Sequence, residues 1–438
     1  MPPTDATRKR PRALTPNEAA GLIRARDSIG VPLGPGQPGA FLHALGAEDR
    51  FEDLLISTAL LTDFYEVFQR PNVRLLSGFY GPAERFLRAA GCNVQFVPGD
   101  FRRLGVILGA LCPRVMATSA APPDADGRMS LSLHAGATVT ELERCGRDPN
   151  RLLVVEVSPR FPRTLGLPPE HPHCLRLEEV DVIVEVDREP FELEDPEPSE
   201  ADVAIADHAA KFISDGCTLQ TGIGAVPSLI IGRLAEGDGG DYGVHSEMFT
   251  TALMKLHRAG KVSNRKGVYD GISVSTFAAG TRELYDWLDG GEDVRFLPVE
   301  RVNEPSLIGQ NRKMISVNGA LAVDLAGQVA ADTLSGSQFS GIGGHEDFVE
   351  GTGLSLENRS LVCLPSTAER DGKRLSRIRP ALGPDMLVTT PRHQVDVVIT
   401  EYGAAELFGR TTKERAQALA AIAHPEFREE LARADLFV

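Results

Sequence analysis

Cysteine is scarce: six in 438 residues, with no C-x-x-C pair among them. Cys92, Cys112, Cys145, Cys174, Cys217 and Cys363 lie far apart along the chain. That spread argues against a disulfide scaffold and leaves reduced, buried thiols as the expectation. Aromatic residues are few, at 6%, with a single Trp. No apolar run of roughly 18 residues occurs, and the first residues lack the apolar segment of a secretion signal. A cytoplasmic protein that does not engage a membrane is therefore expected. Positive charge is in deficit: 46 Lys and Arg against 61 Asp and Glu give a formal net charge of −15. A chain this acidic is a poor partner for phosphate backbones, which disfavours nucleic acid and anionic membrane. An anionic small molecule in a locally positive pocket stays open. The one basic run, Arg8, Lys9, Arg10, Pro11 and Arg12, reads as a solvated, frayed tail. His171-Pro172-His173-Cys174 has metal-ligand residue types but no second ligand pair nearby, so a plain loop and no metal are expected.

What is present is ordinary for a globular enzyme: 42% hydrophobic and 24% charged residues, in a length suited to two domains. The break stands at EPFELEDPEPSEAD, residues 189–202, where seven acids and three prolines fill fourteen positions. Such a stretch cannot pack a core. It predicts an N-terminal domain over 1–192, a linker over 193–200 and a C-terminal domain over 201–438. Both halves alternate strand-like and helix-like segments. Residues 152–157, 180–186, 361–364, 386–390 and 395–400 read as strands, and 201–213 and 413–423 as helices. Continuous apolar strands between helices imply a largely parallel sheet covered on both faces. The predicted fold is two related α/β domains with largely parallel sheets.

Four segments carry candidate chemistry. Gln220-Thr221-Gly222-Ile223-Gly224-Ala225-Val226-Pro227 is a glycine turn feeding a helix. Backbone N–H groups at such a place can meet an anion or a developing oxyanion, but taken alone the pattern favours a purely structural turn. A dinucleotide fingerprint fails here, because Pro227 stands where the third glycine belongs. Next comes Tyr242-Gly243-Val244-His245-Ser246-Glu247-Met248-Phe249, an acid in an apolar setting. Glycine-rich Ser340-Gly341-Ile342-Gly343-Gly344-His345 suits either a close backbone approach to a ligand or a wide turn. Last, Val398-Ile399-Thr400-Glu401 places an acid directly after a strand. Loops at strand carboxyl ends converge on one crevice in open α/β sheets, so these acids and glycines can share it.

Together these segments resemble the acetyl-CoA hydrolase/transferase family of class I CoA-transferases, and most of all its 4-hydroxybutyrate and butyryl CoA-transferase branch. The resemblance runs through SGFYGPAERFL (77–87), APPDADGRMSLS (121–132), FPRTLG (161–166), LQTGIGAVPSLI (219–230), GVHSEMF (243–249), SVNGALAVDLAGQV (316–329), SGIGGHEDFVEG (340–351), LPSTA (364–368) and the long block from Val388 to Leu431. His345-Glu346, Ser246 and Gly319 depart from the family pattern. The resemblance implies an active site at the interface of the two α/β domains, with Glu247 as the catalytic nucleophile and Asn303 and Glu401 as further active-site residues. It implies CoA and oxyanion contacts from Gln220, Gly222, Ile223, Gly224, Ala225, Val226 and Met248. It implies backbone donors at Gly341, Gly343 and Gly344 near the thioester. It also implies transfer of CoA between an acyl-CoA and a short carboxylic acid through a glutamyl-CoA thioester, in a homodimer or higher oligomer. An acyl-CoA hydrolase would use the same fold and acid with water as acceptor. No tightly bound cofactor is implied, since coenzyme A enters as substrate. The acid-free stretch 255–267 offers Lys255, Arg258, Lys261, Arg265 and Lys266 either to the CoA phosphates or to solvent.

Overall fold

The protein is described by a computed structural model over residues 10–434. The chain divides into two compact units. The first takes the residues up to Leu193 together with Ser275–Arg301; the second takes Glu194–Val274 and the chain from Val302 onward.

The first unit is built on an eight-stranded sheet. Its order is Arg12–Ala13, Val182–Glu185, Leu152–Val157, Val115–Ala120, Arg26–Gly30, Asp53–Thr58, Val73–Ser77, Val94–Phe96. Every neighbouring pair is parallel. The strands Leu152–Val157 and Val115–Ala120 are buried at all positions, as a sheet covered on both faces requires. Alternation assigns the faces. Val154, Val182 and Val184 pack with Phe41, Leu42 and Ile56. Leu153, Val155 and Ile183 pack with Leu108, Leu142 and Cys145 on the other side.

Two expectations change here. The basic run ends in structure rather than in a frayed tail. Arg12 N–H donates to Asp181 O at 2.9 Å and Leu14 N–H to Ile183 O at 3.0 Å, which makes an edge strand. Arg8 and Lys9 lie outside the described residues. The second change concerns the contiguous domain over 201–438, because Ser275–Arg301 returns to the first unit. Backbone pairing draws it back: Ala135 N–H donates to Thr276 O at 2.8 Å and Leu193 N–H to Gly280 O at 2.8 Å. Tyr285 Oη adds a bond to Phe191 O at 2.6 Å.

The second unit holds a six-stranded sheet in the order Gly243–Val244, Thr218–Thr221, Met314–Gly319, Arg359–Cys363, Val397–Thr400, Gly403–Glu406. Its pairs are parallel except the last, a hairpin. Within the acidic stretch, Ser199 caps the helix Glu200–Ala210, its side chain accepting from Asp202 N–H. The expected strand over 386–390 is absent. Pro391 follows it, without an N–H to donate, and the segment is held as a loop by Leu387 N–H to Thr333 Oγ1 at 2.7 Å and Thr390 N–H to Val329 O at 3.1 Å.

All six cysteines are free thiols. Cys145, Cys217 and Cys363 are buried, whereas Cys112 is exposed. No helix among the described residues is long and apolar enough to cross a membrane.

Candidate active site

The strand Thr218–Thr221 brings two of the sequence segments together. Leu219 pairs with Val244, and His245 N–H continues the ladder to Leu219 O at 3.1 Å. Ser246 Oγ then donates to Thr221 O at 3.1 Å. The turn starting at Gly222 and the bend carrying Glu247 therefore leave the carboxyl edge of the sheet side by side. Residues 242–246 are buried, as are Met248 and Phe249, and Glu247 alone in this stretch keeps partial solvent access.

Gln220 is buried at the end of its strand, its Oε1 without a hydrogen-bond partner. Past it, Gly224 takes φ +118 and caps the helix Ala225–Glu236. A side chain at Gly222 or Gly224 would meet nothing within 4 Å, so this turn faces open space. Ile223 is exposed, and Ala225 and Val226 are half-buried in the first helical turn.

The second glycine segment makes the opposite case. Gly343 has φ +57, and Gly344 caps the helix His345–Thr352. A Cβ built on Gly344 would lie 1.9 Å from Glu247 Oε2 and 2.6 Å from Asn303 Nδ2. The carboxylate is thus seated directly on the Gly344 backbone, which is why that position has no side chain. Gly341 is buried at the start of the same turn.

Asn303 sits between two short helices and is fully buried. Its Nδ2 donates to Glu247 Oε2 at 2.7 Å and to Asp347 Oδ2 at 3.0 Å. His245 fixes the relation between these loops. Its Nε2 donates to Val302 O at 2.7 Å, one residue before Asn303, and its Nδ1 accepts from Asn311 Nδ2 at 3.1 Å. Burial holds His245 down to about 4, so it stays neutral and keeps this pair of roles.

Burial also pushes the Glu247 carboxyl up to about 8; the Asn303 hydrogen bond pulls it down and the charge of Asp347 pushes it further up. The result is a poorly solvated acid beside the Asn303 amide donor and a neighbouring anion. Asp347 and His245 stand inside the quoted motifs but carry no signal of their own in the sequence.

Glu401 follows Val397–Thr400, four strands along the sheet from Gly243–Val244. Four inter-strand steps amount to about 19 Å. Ser366 holds it through N–H at 2.8 Å and Oγ at 2.5 Å.

Three of the five cations over 255–267 are committed locally. Lys261 Nζ donates to Gly237 O at 2.7 Å and Arg265 pairs with Asp241 at 2.6 Å. Lys266 is fully buried, bonded to the carbonyls of Tyr269 and of Ile272 (2.8 Å), and burial pushes it down to about 7. Among the described residues no group of three or more His, Cys, Asp or Glu is arranged to hold a metal ion. His173 instead bonds Ser132 O at 2.9 Å and Thr164 Oγ1 at 3.0 Å.

Residues 280–434 match the family model described as the acetyl-CoA hydrolase/transferase C-terminal domain. The chain is 33% identical over 431 residues to a succinyl-CoA:cyclohexane-1-carboxylate CoA transferase of Geobacter metallireducens, across 97% of this chain and 95% of that one. It is 40% identical over 282 residues to a 4-hydroxybutyrate coenzyme A transferase of Clostridium kluyveri, 64% of each chain. Among solved structures, RipA from Yersinia pestis superposes with a TM-score of 0.86 at 30% identity, covering 97% of this chain and 96% of that one. The chain belongs to the acetyl-CoA hydrolase/transferase family of CoA-transferases.

Proposed function

We propose that this enzyme moves CoA between an acyl-CoA and a short carboxylic acid, with Glu247 as the covalent carrier. The observation that carries this reading is the seat of the Glu247 carboxylate, hydrogen-bonded by Asn303 at 2.7 Å and pressed onto Gly344 where no side chain fits. A carboxylate is a weak nucleophile in water; desolvation makes it stronger, and a thioester is a reactive acyl donor.

The steps balance without a cofactor. A Glu247 oxygen attacks the thioester carbonyl, the C–S bond breaks, and CoA leaves as thiolate, giving a mixed anhydride. The thiolate attacks the Glu247 carbonyl carbon and expels the donor acid as carboxylate, leaving a glutamyl-CoA thioester. An acceptor carboxylate attacks that thioester, regenerating an anhydride and free thiolate. The thiolate then takes the acceptor's acyl carbon, and Glu247 returns as carboxylate. Each attack passes through a tetrahedral oxyanion. The Asn303 amide and the backbone of the two glycine turns are the donors this reading assigns to it. Glu401, held by Ser366, is assigned to substrate contacts away from the reacting carbon.

The test is borohydride trapping. Enzyme incubated with acyl-CoA and no acceptor should accumulate the thioester, and reduction should convert Glu247 to an alcohol detectable in its peptide mass. Glu247→Gln should lose turnover and labelling. A label on Glu401, or near-normal turnover of Glu247→Gln, sinks the assignment. Acyl-CoA consumption that proceeds at full rate without any added acid identifies a hydrolase instead.

A further inference from the structure

The Asn303 amide has two ends, and only one of them is useful. Nδ2 faces both Glu247 and Asp347, while Oδ1 is buried with no hydrogen-bond partner. A protonated Glu247 could equally well donate to Oδ1 if the amide turned over. Asp347 as a carboxylate is an acceptor only, and it forbids that turn.

We infer that Asp347 is a positioning residue for the nucleophile: it locks the Asn303 amide with Nδ2 toward Glu247 and holds a negative charge across that amide. The inference rests on Glu247 being the nucleophile. Asp347 is well placed for the task. It is 1% exposed and lies in the first turn of the helix His345–Thr352, where a negative charge meets the helix's positive end. That same helix starts at Gly344, under the Glu247 carboxylate. One element therefore carries both the seat of the nucleophile and the acid that orients its donor.

The other titratable groups around the pair are spoken for. His245 and His345 are buried and held down to about 4, hence neutral. Glu346 accepts from Thr390 Oγ1 and Glu304 from Ser306 Oγ at 3.2 Å. Asp347 is the charge that bears on Glu247 through Asn303. A locked donor is ready when Glu247 ionises and attacks, and it stays in place for the oxyanion that follows. The neighbouring charge delays that ionisation until higher pH.

The experiment compares wild type with Asp347→Asn and Asp347→Glu over pH 5–9, scoring kcat/KM against pH and borohydride labelling of Glu247. In Asp347→Asn the acid limb should move down by about one to two pH units, because a like charge has gone. Its plateau turnover should fall on the order of 10- to 100-fold, because the amide is no longer locked. Asp347→Glu keeps the charge, so its limb should stay while its plateau falls. An unmoved limb in Asp347→Asn overturns the inference. So does failure of Asp347→Asn to fold while Asp347→Glu keeps wild-type rate and limb, since the acid then serves the fold alone. Glu247→Gln run in parallel separates the two readings. If it is active, the nucleophile is wrong; if it is dead while the Asp347→Asn limb is unmoved, only the present inference fails.

Discussion

The Glu247 carboxylate occupies the space that a side chain at residue 344 would need, with Oε2 1.9 Å from the Cβ position of Gly344. Gly344 has φ −88, a value open to any residue, so backbone strain is not the reason for glycine here. Gly344→Ala should therefore act through contact alone. Displacing the carboxylate by about 1 Å should cut turnover on the order of 100-fold. Overpacking should cost about 1–3 kcal/mol of stability. Gly319→Ala, where nothing lies within 4 Å, is the matched control and should change neither. Steady-state kinetics and thermal melts of the two variants read the comparison.

Glu247→Gln should become more stable relative to wild type as pH rises. The folded carboxyl is pushed up from 4.5 to about 8, so the folded state holds a proton that the unfolded chain releases earlier. That proton's contribution is fully present below 4.5 and is lost as pH rises through about 8. Glutamine does not titrate and loses nothing. The melting temperature of Glu247→Gln should match wild type near pH 4.5 and exceed it increasingly toward pH 9, where the stability difference reaches about 4–5 kcal/mol. A constant difference across that range would show that burial does not suppress the ionisation of Glu247.

The first glycine turn should separate strain from contact. Gly224, at φ +118, should lose roughly 1 kcal/mol or more on conversion to alanine. Gly222→Ala meets no neighbour and should melt as wild type does. A fall in kcat/KM for Gly222→Ala with an unchanged melt would mark the open side of this turn as substrate-facing; unchanged kinetics would remove Gly222 from the site.

Initial rates with acyl donor and carboxylate acceptor varied together should give parallel double-reciprocal lines, with no free CoA as a net product. Parallel lines follow from a covalent carrier that releases the donor acid before the acceptor reacts. Intersecting lines would point to a ternary complex and direct transfer.

Much of the sheet architecture was legible because buried parallel strands leave continuous apolar runs: 152–157 and the core of 180–186 appear as strands. The run at 386–390 carried the same signal but lacked a ladder partner along its length, which composition does not reveal. Residues 275–301 gave no sign of belonging to the first unit, because that choice is made by backbone pairing with Ala135 and Leu193 rather than by pattern. In the site, Glu247 stood out as an acid among apolar neighbours. Asp347 did not, since His345-Glu346-Asp347 reads as an ordinary polar helix start and only burial sets it apart. Lys266 misled in the same way: a charge in a basic stretch reads as surface, yet it is sealed inside the turn it supports.

The return of Ser275–Arg301 to the first unit has a consequence for synthesis. As the chain emerges from a ribosome, the first unit cannot close when residue 193 appears, because its last segment is still unmade. The whole stretch Glu194–Val274, including Glu247, is produced while that unit stands open, so neither unit can be completed as a simple N-terminal or C-terminal half. A truncation ending at the acidic linker should therefore yield an incomplete core prone to aggregation, and coexpression of a 275–301 peptide should restore its solubility.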